Sequence, residues 1–221
     1  MTNRRALTVP ALLAASAFCV LLVVFRRHHT GEPFYDFLVW NLVLSWVPFV
    51  LALAAYARAR RGRGPLVVVL GVLWLLFFPN APYLLTDFIH LHESSSTPLW
   101  YDALMLAAFA WAGLALGFAS LYVMQTIWER ATGVLVSWLG VVGALALASF
   151  GVYLGRFLRF NSWDALVRPG RIADVVRANV ENPFQHPRLV AALVVLTGAL
   201  TVAYLVVYSA VGARLELERE P

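Results

Sequence analysis

The chain has 221 residues, of which 61% are hydrophobic and 13% charged, with a formal net charge of +5. So large an apolar fraction exceeds what a soluble domain of this length buries, which excludes a water-soluble fold and leaves a membrane protein. All the basic residues are arginine, a bias expected of a GC-rich genome more than of a chemical need for bidentate contacts, and no nucleic-acid partner is expected.

Apolar runs long enough to cross about 30 Å of hydrocarbon occur at Ala6 to Phe25, Phe37 to Ala57, Pro65 onward, Ala103 to Trp128, Val134 to Leu154 and Leu189 to Val211. They predict an all-α fold, a polytopic transmembrane bundle of about six helices. The first run follows Arg4 and Arg5 and contains Ala15-Ser16-Ala17, as a cleaved signal peptide would, but it continues to Arg26-Arg27 and is read as a retained helix. Cys19 is the single cysteine, so no intrachain disulfide is possible.

The turn "RARRGRG" at 58–64 is compactly basic, whereas Asn80 to Tyr101 has no basic residue except histidine. Basic loops stay on the cytoplasmic side, so both termini are expected there, in a bacterial plasma membrane. Independently of orientation, parity places the loops after segments three and five and the start of segment two on one face. That face collects Asn41, "PNAPYLLTDFIHLHE", Asp102 and "GRFLRFNSWD". The middles of the six segments hold no Asp, Glu, Lys, Arg or His, which argues against an ion-driven transporter or a channel.

Segment three breaks early. At about 1.5 Å per residue it has risen only about 21 Å when it reaches Pro79, still within the hydrocarbon layer. Pro79 and Pro82 lack N–H groups, so the carbonyls of Leu75 and Phe78 lose their usual donors. Broken backbone at such depth needs protein or a wet cavity around it, with Asn80 and Thr86 as the nearest helpers. The helix is expected to resume with Asn80 as N-cap and to carry Asp87, His90 and Glu93 at intervals of three along one arc, with His92 pointing elsewhere. Asp87 and His90 are then candidate acid–base or metal-binding residues, or a hydrogen-bonded structural pair at a helix end.

In "TPLWYDA", Thr97 is the expected cap and Pro98 the first turn of segment four. Asp102 follows in that first turn, either for the helix dipole or facing the same cavity as Asp87 and His90 as a third catalytic candidate. Gly113 and Gly117 in segment four, and Gly140, Gly151 and Gly155 in segment five, predict close packing of those two helices. At the end of segment five, Arg156 and Arg159, with Asn161, Asp164 and also Asn80, are candidates for binding an anion or substrate. The arginines could equally snorkel or pair with Asp87, Asp102 or Asp164. Between segments five and six, Ile172, Val175, Val176 and Val180 recur at helical spacing and predict a short amphipathic interfacial helix.

The blocks "NLVLSWVP", "WLLFFPNAPYLLTDFIHL", "WYD" and "GRFLRFNSWD" resemble the bacterial membrane protein family catalogued as domain of unknown function 1361. The resemblance runs from about Phe37 to Tyr208 and implies an integral membrane protein without implying an activity. The expected organisation is an N-terminal helix and loop over 1–36, a membrane domain over 37–211 and a charged tail over 212–221. Three functions compete. The first is a binding or assembly module for an anionic lipid headgroup, a lipid-linked ligand or an envelope protein partner. The second is a membrane-embedded hydrolase or transferase, possibly metal-dependent, acting on a lipid. The third and least favoured is a transporter or channel. The sequence names no cofactor.

Overall fold

In the computed structural model of the chain, six helices among the described residues are long and apolar enough to cross a membrane: Leu7–Thr30, Asp36–Ala59, Pro65–His90, Leu99–Thr132, Val134–Leu158 and Leu189–Gly212. The structure describes residues 5–62, 64–91, 97–159, 170 and 187–217. His92, Glu93, Asn161, Asp164 and the amphipathic segment expected over 172–181 lie outside them. The elements are α1 (Arg5–Thr30), α2 (Asp36–Ala59), α3 (Pro65–Phe77), α4 (Asn80–Tyr83), a 3₁₀ helix (Leu84–His90), α5 (Leu99–Thr132), α6 (Val134–Leu158) and α7 (Pro187–Leu217).

α5 is the hub. It packs against α1, α2, α4, the 3₁₀ helix, α6 and α7, and 61% of its spanning window is buried against 11 to 33% for the others. A helix that is apolar all round suits that central place. Leu106, Phe109 and Leu116 of α5 join Leu12, Val23, Leu38 and Leu42 in one core cluster. Leu121 and Met124 join Trp74, Phe78, Val141, Leu145 and Tyr204 in a second. α7 sits at the edge, packed mainly on α6.

The third span changes course at its prolines. The Phe78 N–H makes a regular helical bond to Trp74 O at 2.8 Å, and the next residue, Pro79, has no N–H to continue the ladder. The loose carbonyls are satisfied from nearby: Phe77 O by Asn80 Nδ2 at 2.8 Å, Phe78 O by Ala81 N–H at 3.1 Å, Asn80 O by Ser45 Oγ at 2.9 Å and Tyr83 O by Thr86 Oγ1 at 2.6 Å. Asn80 is therefore not the N-cap that its position suggests. Pro79 holds that place, without a side-chain bond, while the Asn80 amide turns back to close the break. Likewise Pro98, not Thr97, caps α5, and Thr97 Oγ1 is buried with no hydrogen-bond partner among the described residues.

The glycines explain how a broken turn fits inside the bundle. A Cβ on Gly113 would lie 2.5 Å from Ala81 O, one on Gly117 2.9 Å from Ala81 Cβ, and one on Gly151 2.5 Å from Pro79 Cγ. α5 and α6 are neighbours, but these glycines admit the Pro79–Leu84 turn rather than bring the two long helices directly together. Gly140, 3.1 Å in the same sense from the Trp128 ring, serves an α5–α6 contact. The reason is steric and electrostatic at once: irregular backbone must be enclosed by protein in the membrane, and enclosure at that distance leaves no room for a methyl group.

Overpacking such a contact costs about 1–3 kcal/mol. Gly113→Ala and Gly151→Ala are each expected to destabilise the protein by that amount in thermal or denaturant unfolding. Gly143→Ala, where a Cβ meets nothing within 4 Å, is expected to cause no loss.

Candidate functional site

The 3₁₀ helix has three residues per turn, so side chains three apart stack on one side. Asp87 and His90 thereby share a face, turned toward α6 and α2. The last turn of α6 carries Arg156, whose guanidinium spans that face with all three nitrogens. Nε donates to Thr86 Oγ1 at 3.0 Å, Nη1 to His90 Nε2 at 3.2 Å, and Nη2 forms an ion pair with Asp87 Oδ1. Its Cζ also lies 4.3 Å from the Tyr83 ring centroid, a cation–π contact. The other Asp87 oxygen accepts from Asn41 Nδ2 of α2 at 3.3 Å. Asp87 is fully buried and the Arg156 side chain is 9% exposed.

Aromatic residues from the α1–α2 connection and the start of α2 complete the site. The Phe37 ring meets His90 edge-to-face at 5.2 Å, Phe34 does so at 6.3 Å, and Tyr35 Oη donates to His90 O at 2.9 Å. Phe34, Phe37, Asn41, Tyr83, Asp87, His90 and Arg156 line a cavity of about 370 Å³, near the lower end of the range for ligand sites, about 300–1,000 Å³.

Asp102, grouped with Asp87 and His90 on sequence grounds, is not in this cavity. It meets α1: Arg26 Nε donates to Asp102 Oδ1 at 2.8 Å and Nη2 to Oδ2 at 3.3 Å, with both side chains 1% exposed. Arg26 Cζ lies 4.5 Å over the Tyr35 ring. Tyr35 thus joins the two ion pairs, one through its ring face and the other through its hydroxyl.

Arg159 takes the left-handed position that ends α6, with φ 57°, and its exposed side chain does not line the cavity, so the expected two-arginine clamp is not assembled. Asn80 also does not line it, being used in the helix break. Sequence reasoning missed Arg26 as a buried partner and Phe34, Phe37 and Tyr83 as walls. Arg26 and Arg27 are adjacent and point about 100° apart on the helix: Arg27 faces outward, pairing with exposed Asp36, and Arg26 faces inward.

The chemistry follows from who donates. Arginine has no acceptor, so in the Arg156–His90 hydrogen bond His90 Nε2 is the acceptor. The lone pair a general base would use is engaged, and the Asp87 carboxylate is held in an ion pair. Among the described residues no group of three His, Cys, Asp or Glu side chains is placed to hold a metal ion.

The family model described as protein of unknown function (DUF1361) matches residues 40–205. The chain belongs to that family. The matched region contains Asn41, Tyr83, Asp87, His90, Asp102 and Arg156 and leaves out Arg26, Phe34 and Phe37, so the polar part of the site lies within the family match and part of its apolar rim precedes it. No curated protein and no solved structure matches the chain.

Removing one partner of a buried ion pair costs about 3–5 kcal/mol, whereas replacing both by apolar groups is often neutral or stabilising. Arg156→Met or Asp87→Leu alone is therefore expected to lower unfolding stability by that amount, and the double variant to recover most of it. Strictly additive losses in this cycle would mean that the two residues do not act as a pair.

Proposed function

We propose that this multi-pass membrane protein is a non-catalytic binding module whose cavity at the Arg156 end of the bundle takes the polar headgroup of a membrane lipid or lipid-linked compound. The observation that carries the reading is the cavity's composition: a buried polar network forms one part of its lining, and Phe34, Phe37 and Tyr83 form an aromatic wall beside it. Such a mixture matches a molecule that is polar at one end and apolar at the other. Binding is favoured over turnover because Arg156 engages both His90 Nε2 and Asp87.

We place the protein in a bacterial plasma membrane with both termini in the cytoplasm. The support is the basic turn from Arg58 to Arg61, which lies at the end of the bundle opposite the cavity. In this orientation the cavity opens on the outer leaflet. Cys19 is buried, so single introduced cysteines report cleanly. An impermeant maleimide applied to intact cells is expected to label Glu32→Cys, beside the cavity, and to spare Thr132→Cys; the reverse pattern would invert the orientation.

The binding claim is tested by the lipid that stays with the protein during extraction in mild detergent, measured by mass spectrometry. Phe37→Ala should lose that lipid at least severalfold. Trp111→Ala, which removes a ring 69% exposed on the outer surface of α5, should keep it. Equal retention in both variants would refute a headgroup site in this cavity.

A further inference from the structure

Resting on the reading of the cavity as a headgroup site, we infer that the headgroup is uncharged and rich in hydroxyls, a sugar or similar polyol carried by a membrane lipid, rather than a phosphate. The first reason is charge. Among the described residues that line the cavity, the one arginine, Arg156, is in direct contact with a buried carboxylate, Asp87. Those two charges offset one another. A phosphate would sit beside the Asp87 carboxylate, a like charge, in a site where that carboxylate is wholly enclosed.

The second reason is the unused hydrogen-bonding capacity. Arg156 spends one N–H on each of Thr86, His90 and Asp87, which leaves one N–H on each terminal nitrogen. Among the described residues the Tyr83 hydroxyl has no hydrogen-bond partner, and Asn41 uses only its amide nitrogen, toward Asp87. The open positions are thus donors and an acceptor together. A phosphate oxygen accepts only and would leave Asn41 Oδ1 unanswered, whereas a hydroxyl both donates and accepts and can serve both kinds.

The third reason is shape. Phe34, Phe37 and Tyr83 give flat apolar area beside these polar atoms, which suits the C–H face of a sugar ring. A cavity of about 370 Å³ has room for one small headgroup, not for an extended oligosaccharide.

The test uses the full chain in nanodiscs of phosphatidylcholine doped with either monoglucosyl diacylglycerol or phosphatidic acid, with retained lipid counted by native mass spectrometry. The glucolipid is expected to be retained at least tenfold over phosphatidic acid. Tyr83→Phe is expected to reduce that retention about fivefold while leaving thermal stability unchanged, since its hydroxyl has no partner to lose and its ring remains beneath Arg156. Preference for phosphatidic acid, with Phe37→Ala still losing lipid, would overturn the uncharged class and leave the headgroup site standing. Equal retention of both lipids, unaffected by Phe37→Ala, would overturn both readings. Methyl glucoside is expected to compete poorly; displacement as effective as by the glucolipid itself would overturn the lipid-borne form of the proposal.

Discussion

The buried ion pair between Arg156 and Asp87 is the interaction on which the rest of this bundle's polar end depends. Asp87 lies fully enclosed on the short helix that follows the broken third span, and a lone carboxylate there would be strongly disfavoured. The guanidinium answers its charge and at the same time ties Thr86 and His90 to the end of α6. The break in the third span supplies the geometry. A continuous α-helix would place residues three apart about 60° off one another, whereas the 3₁₀ helix after the prolines stacks Asp87 over His90, within reach of one arginine.

That geometry makes demands elsewhere in the chain. The turn at Pro79–Leu84 can lie this deep only because α5 and α6 present glycine at its closest approaches, and because Ser45 and Asn80 donate to carbonyls of the irregular turn. A second buried pair, Arg26–Asp102, fastens α1 to the start of α5. Tyr35 connects the pairs by stacking under Arg26 and bonding the His90 carbonyl. The cavity is therefore framed by four helices whose polar side chains hold one another in place, so a ligand meets a rigid surface with donors and an acceptor to spare. Such preorganisation favours binding, because few groups have to be ordered when the ligand arrives.

Much of this could be read from residue order. Six apolar runs of spanning length carry the fold class, since no soluble protein of this size could bury them. Prolines too early in segment three marked the break, and loop parity put Asp87, His90, Asn41 and Arg156 at the same end. Partner choice was harder to read. An arginine at the edge of an apolar run is equally compatible with snorkelling to lipid phosphates and with a buried pair, and for this reason Arg26 was not recognised as the companion of Asp102. Glycine spacing indicated close approach without naming the approaching element, because lipid and protein are alike apolar and the helical period cannot distinguish them. Phe34, Phe37 and Tyr83 carried no signal separate from ordinary interfacial aromatics.

The most direct measurement of the central claim is solid-state NMR of the protein in lipid bilayers with carboxyl-¹³C aspartate and guanidinium-¹⁵N arginine. A strong carbon–nitrogen dipolar contact assigned to Asp87 and Arg156 is the predicted result, present in the wild type and absent in Arg156→Met. A wild-type spectrum in which the Asp87 carboxyl shows no arginine contact, with Arg156 reporting as a solvated surface side chain, would contradict the account.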